Sequence, residues 1–295
     1  MYIWIAIAAS TLFALNGAVD KFLLTKVVRH PIAYAFYIGI TGPLTWLLAP
    51  FGLKFLGLAD LLVAIIGGAA FVAALYFLYV ATQQTSISRI LPIEGGLVPV
   101  FTLILAYIIL SERLTGNQLL AFVFLVAGAI LMAFKKEASG WHPQALGNGL
   151  LAALLFALSF TLTKFIFDKT NFVSGLIWTR LGFFLASLSF LIPRSSRRHI
   201  LQAPKEASPG SKLLYYGARV SGGAAGLLQN YAIALGSVTI VNALQGTQYA
   251  ILLLLTMILS KYYPKILKER VSGEILVQKI GAIILISLGF ILLVK

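Results

Sequence analysis

Leu12-Phe13-Ala14-Leu15-Asn16-Gly17-Ala18-Val19-Asp20-Lys21-Phe22 returns as Leu155-Phe156-Ala157-Leu158-Ser159-Phe160-Thr161-Leu162-Thr163-Lys164-Phe165, every position displaced by 143 residues. Each copy lies in an apolar stretch long enough to cross a bilayer. A membrane chain built from two related halves is most often a transporter with its site between them, so the repeat sets expectations for fold and function together.

The similarity extends outward from that stretch. An offset of 152 carries Tyr79 onto Tyr231 and Glu94-Gly95-Gly96 onto Gly246-Thr247-Gln248. Ser111-Glu112-Arg113-Leu114-Thr115-Gly116 then corresponds to Lys268-Glu269-Arg270-Val271-Ser272-Gly273, and Gly128 and Gly289 hold like places. The residues are 60% hydrophobic and only 11% charged, against about one-quarter charged in soluble domains. A hydrocarbon core of about 30 Å needs ~20 apolar residues per helix. Ten segments qualify: 2–23, 32–50, 60–81, 88–110, 117–134, 147–167, 172–192, 213–235, 239–260 and 274–294. The expected fold is an all-α integral membrane protein of ten transmembrane helices. Five helices per half is an odd number, so the halves, 1–140 and 141–295, enter the membrane in opposite senses as inverted repeats around a central cavity.

The formal charge of +14 is spread over short loops, which argues for anionic lipid headgroups as partners and against nucleic acid. The chain has no cysteine, so disulfides and thiolate metal sites are excluded. Met1 runs straight into Tyr2-Ile3-Trp4-Ile5 with no basic stretch or cleavage site, so the first segment reads as a retained helix and not as a signal peptide.

The paired Glu112-Arg113-Leu114-Thr115 and Glu269-Arg270-Val271-Ser272 elements, each before a glycine-bearing last helix of its half, resemble the EamA-type transporters of the drug/metabolite transporter superfamily. That resemblance implies two inverted bundles moving small metabolites such as amino acids across the cytoplasmic membrane. Which metabolite does not carry over. On the residues alone, Glu112 and Glu269 stand where carboxylates and hydroxyls cap the helix starts at Thr115-Gly116 and Ser272-Gly273.

Positive residues gather in the loops after odd-numbered helices, among them Lys26, Arg29, Lys135, Lys136, Arg194, Arg197 and Arg198. The positive-inside rule would therefore place both termini outside, whereas the resembled family has them inside. An even number of helices puts both termini on one side in either case; which side stays open, as does the oligomeric state, for which a monomer suffices.

A charge within a span is expensive, so ionisable residues there are site candidates. Glu94 lies two turns into the fourth span in Pro92-Ile93-Glu94-Gly95-Gly96-Leu97-Val98-Pro99, where prolines and glycines are expected to loosen the helix. It is either the proton-coupling carboxylate of a carrier or a structural partner of Arg89, Arg180 or Arg219. Asn242, Gln245 and Tyr249 share a face of the ninth span, suited to a small polar solute or to gluing helices together. Arg180, deep in the seventh span, is placed to hold a substrate carboxylate or to neutralise Glu94. Asn16, with Ser159 as its repeat mate, is placed to bond across the interface or to substrate. Tyr79, Tyr76 and Trp178 are the aromatic candidates for enclosing an organic substrate, with core packing as the other reading. Lys21 and Lys164 are repeat mates near span ends, either matched gates or snorkelling anchors.

An intramembrane enzyme fits poorly, because His30, His142 and His199 all fall in loops. No metal or cofactor pattern is present. A secondary transporter of a small polar metabolite, exporting or exchanging by alternating access, is the expected function. An antiporter of phosphorylated or other anionic metabolites, or a lipid-linked carrier or flippase, remains the alternative, since cations outnumber acids inside the spans.

Overall fold

The computed structural model describes residues 1–26, 30–85, 87–133, 143–202, 209–252, 255 and 273–294. Their side chains are described except at 17–26, 87–89, 91–93, 133, 209–216, 218–219 and 273–276. All secondary structure in these residues is helical: α1 Tyr2–Lys26, α2 Pro31–Gly39 followed by a 3-10 segment Gly42–Phe51, α3 Leu58–Gln84, α4 Ile87–Leu110, α5 Gly116–Ala133, α6 Pro143–Lys169, α7 Phe172–Ser189, α8 Arg194–Gln202, α9 Pro209–Leu235, α10 Val238–Leu244, and α11 Gly273–Val294. Among the described residues five stretches are long and apolar enough to cross a membrane: Pro31–Phe51, Leu58–Gln84, Pro143–Lys169, Phe172–Ser189 and Val277–Val294. Tyr2–Asn16, Glu94–Leu110 and Gly116–Met132 are shorter apolar helices.

Local sequence explains several boundaries. Pro31 opens α2, where its missing N–H costs nothing. Asn171 caps α7 by accepting from the Ser174 N–H at 2.8 Å. Thr115 and Gln118 exchange bonds in a capping box at α5, the Thr115 N–H reaching Gln118 Oε1 at 3.0 Å and the Gln118 N–H reaching Thr115 Oγ1 at 3.4 Å. The expected hydroxyl cap at Thr115 is thus present, but the Glu112 carboxylate is used elsewhere. It accepts from Ser237 Oγ at 2.6 Å, because the chain fold brings the start of α10 within its reach.

Helices that pack most closely come from distant parts of the chain: α1 lies along α9, α3 is wedged between α6 and α7, and α5 lies along α11. Phe71 of α3 sits in the wedge, stacked on Phe183 at 4.6 Å and edge-on to Phe156 at 5.3 Å. Backbones also meet directly there. A side chain on Gly68 would strike the Thr179 carbonyl, one on Gly182 the Ile65 carbonyl, and one on Gly42 the Arg180 carbonyl. Close backbone approach at small residues is the usual means of helix association in lipid, where burial of apolar side chains gains little. The α5 and α11 pair repeats the device, with Gly128 against the backbone of Ala282 and Ile286 and Gly289 against that of Ala121 and Leu125. The opposite face of α11 exposes Val277, Ile280, Ile284, Leu288 and Ile291, an apolar stripe suited to lipid tails.

Candidate functional site

α4 and residues 238–252, which fall in the expected ninth span, form the centre of the candidate site. The helix loosening expected around Pro92–Pro99 is absent, since α4 runs unbroken from Ile87 to Leu110. Its glycines instead permit close packing: a Cβ on Gly95 would lie 2.5 Å from the Tyr249 ring, and one on Gly96 equally close to Ile130. The interruption falls in the ninth span. There α10 stops at Leu244, turns at Gln245-Gly246, and helical turns resume over 247–252. The N–H groups of Gln245, Gly246, Gln248 and Tyr249 all bond three residues back instead of four, tightening the chain into 3-10 turns. Gly246 is pressed against Ala129 of α5, where a Cβ would lie at 2.6 Å. The Leu244 carbonyl left over at the break accepts from Thr247 Oγ1 at 2.7 Å and Ser10 Oγ at 3.4 Å. Hydroxyls so placed are what a broken helix needs within lipid.

Asn242 is the hub beside this break. Its Oδ1 accepts from Gln245 Nε2 at 3.2 Å and Gln229 Nε2 at 3.5 Å, and its Nδ2 donates to Thr102 Oγ1 at 3.1 Å. Four elements therefore meet at one buried carboxamide: α4, α9, α10 and the turn. Thr102 meets Asn242 while Gly95 meets Tyr249, so α4 and the ninth span run antiparallel in contact over roughly 10 Å at 1.5 Å per residue.

Glu94 lies one position from that contact and within electrostatic reach of Tyr249. It also lines a narrow crevice with Leu78, Ile90, Val98, Gly149, Ala152, Ala153 and Phe156, between α3, α4 and α6. The crevice has no room for an organic solute. Among the described residues no hydrogen bond or ion pair reaches the Glu94 carboxylate, and it does not pair with Arg180. The side chains of Arg89 and Arg219 lie outside the described residues.

Arg180 and Asn16 face α9. The Arg180 guanidinium lies over the Phe183 ring at 4.2 Å and approaches Gly226, while Asn16 approaches Gly222 one turn away. The remaining candidates are spent on packing. Trp178 donates from Nε1 to the Lys54 carbonyl at 2.9 Å and meets Trp46 edge-on at 5.6 Å. Tyr79 packs edge-on to Tyr34 at 4.4 Å, and Tyr76 packs near Phe77 and Phe190. Lys164 pairs with Asp168 one turn along α6 at 2.8 Å; its mate Lys21 and Asp20 have side chains outside the described residues. Gln229 and Thr102 were not singled out by the sequence reading. An amide at Gln229, three residues past Gly226 in an apolar span, was the signal for the first; a lone threonine offers none.

Fold and site together define a multi-pass helical membrane protein whose polar interior is gathered at a broken helix. Residues 1–134 are similar to the EamA-like transporter family, a likeness in accord with an EamA-type transporter of the drug/metabolite transporter superfamily. A solved structure described as "Crystal structure of protein" is similar over 99% of this chain and 98% of its own, with a TM-score of 0.69 at 16% identity; that likeness is one of fold. No match is found among curated proteins.

Proposed function

We propose that the chain is a secondary transporter of a small polar metabolite such as an amino acid, an exporter or exchanger of the cytoplasmic membrane. In this reading ten spans form two inverted five-helix repeats, 1–140 and 141–295, that rock about a midplane site. The pairing of α1 with α9, α3 with α6 and α5 with α11 supports it, since each pair joins one half to the other. The observation that carries the reading is the interrupted ninth span, with the Asn242, Gln245 and Gln229 amides beside Tyr249 and Glu94. Discontinuous helices with polar groups at their break are how such carriers hold solute at mid-membrane depth.

Glu94 is the proton-coupling group in this mechanism. An unpaired carboxylate inside a span is costly in its charged form; protonation removes that cost, and deprotonation after a change of access returns the proton on the other side. Proteoliposomes given labelled amino acids and an imposed pH gradient test this. The parent accumulates substrate, whereas Glu94→Gln only equilibrates it; uphill accumulation by Glu94→Gln equal to the parent's sinks the coupling role. The second reading, exchange of anionic metabolites, is favoured by Arg180, a cation with no acidic partner among the described residues.

A further inference from the structure

We infer that Arg180, Asn16 and the glycine face of α9 form a subsite for the oxyanion group of the substrate, a carboxylate or a phosphate; this rests on the transporter reading and specifies what it carries. A guanidinium stacked face-on over a ring keeps its in-plane N–H donors for another partner. The Arg180 Cζ lies over the Phe183 ring at 4.2 Å from its centre, and among the described residues no acceptor meets the guanidinium donors. Its edge turns to α9, where the nearest described neighbour of a Cβ built on Gly226 is Arg180 Nη2 at 3.6 Å. One turn earlier, a Cβ on Gly222 has Asn16 Nδ2 as its nearest described neighbour, also at 3.6 Å. Asn16 is buried, with 7% of its surface left, and its Nδ2 has no hydrogen-bond partner among the described residues.

Two donors with no partner among the described residues, one charged and one neutral, thus face glycines one helical turn apart on α9, and beyond the helix itself each donor is the one described atom within 4 Å of the carbon added there. Unmet donors of both kinds call for an acceptor-only group, which an oxyanion is. The repeat sharpens this. At the corresponding places of the first half stand Tyr37, Ser159 of the paired helix, Ala70 and Ala74. Ala70 and Ala74 are buried, and the Tyr37 hydroxyl donates to the Ile200 carbonyl at 2.8 Å. The copy whose Tyr37 hydroxyl is bonded carries methyl groups at these places; the copy with Arg180 and Asn16 has glycine.

The test follows the unfolding temperature of detergent-purified protein titrated with benzoate, phenyl phosphate and the neutral isostere benzamide, since a ligand that binds the folded state raises it. Both or one of the anions stabilises the parent and benzamide does not, the stronger anion telling carboxylate from phosphate. Arg180→Gln weakens apparent anion affinity by at least about tenfold, Arg180→Lys recovers part of it, and Arg197→Gln on α8 leaves it unchanged. Equal stabilisation by benzamide, or a parent-like titration of Arg180→Gln, overturns the subsite. If Arg180→Gln does not fold, Gly226→Leu serves, because it fills the space and keeps the guanidinium; unchanged anion affinity there also overturns it. Anion stabilisation without uptake by proteoliposomes sinks the transporter reading alone, and uptake of neutral solutes indifferent to Arg180→Gln sinks the subsite alone.

Discussion

Ser237 Oγ donates to Glu112 Oε1 at 2.6 Å, joining the loop after α4 to the start of α10 across 125 positions of chain. The same oxygen accepts from the Ile240 N–H at 3.0 Å, so one hydroxyl caps α10 and ties it to a carboxylate. Ser237→Ala removes both bonds and is expected to cost about 1–2 kcal/mol of stability. Glu112→Gln keeps an acceptor and costs less than half of that. Thermal unfolding of the two variants in detergent checks the order; a Glu112→Gln loss larger than that of Ser237→Ala contradicts it.

Gly95 lets the Tyr249 ring lie on α4. Gly95→Ala is therefore an overpacking change worth about 1–3 kcal/mol. Combining it with Tyr249→Leu should recover most of that loss, because the atom struck is the one removed. Additive losses in the double variant would show that the two residues are not in contact.

Asn242 satisfies two amides and receives a hydroxyl oxygen as its own acceptor. Interhelical hydrogen bonds in membranes are modest, near 0.6 kcal/mol on average and up to about 1.7, so Asn242→Ala is expected to lose about 1–3 kcal/mol. Thr102→Val should lose only one bond's share. The two unfolding temperatures, measured side by side, decide whether the hub or the α4 contact dominates.

Gly128→Val and Gly289→Val each force α5 and α11 apart and are expected to lower the unfolding temperature by similar amounts, with a cost of at least about 1–3 kcal/mol. Gly147→Ala is the control, since nothing lies within 4 Å of the added carbon; it should be neutral or slightly stabilising. A large difference between the two valine variants would refute the reciprocal contact.

Asp60 accepts from Lys169 Nζ at 2.7 Å, yet both side chains remain partly exposed. Exposed pairs contribute about 0–1 kcal/mol, so Asp60→Asn should barely move the unfolding temperature. A shift as large as that of Ser237→Ala would mean that the pair is shielded by groups outside the described residues.

Helix positions were readable because apolar length, Pro31 and the Thr115 and Gln118 pair are local signals. Partners were not. Nothing near Glu112 in sequence announces Ser237, and the proline and glycine run at Pro92–Pro99 looks like a break until Tyr249 and Ile130 are seen to need that space. The actual break at Gln245-Gly246 is made tolerable by Ser10 and by α5, both far off in the chain. The indole N–H of Trp178 is taken by a carbonyl in the loop before α3, 124 positions earlier in the chain. Arg180 and Asn16 could be nominated separately from burial in apolar spans, but their meeting on one face of α9 required the fold.

Gly42 and Gly68 bring two backbones against the stretch of α7 around Arg180, and Gly182 of α7 itself meets the Ile65 carbonyl of α3; at each of the three glycines the nearest contact would be a carbonyl oxygen and not a side chain. The root of that guanidinium is accordingly fixed by peptide units, whose shape is the same whatever residues surround them. Exchange of one aliphatic residue for another on the neighbouring faces leaves it in place. Sequence drift can thus remodel the greasy surroundings freely, while a single added methyl at any of three positions moves the charge; the protein's tolerance to mutation should be lowest where its side chains are smallest.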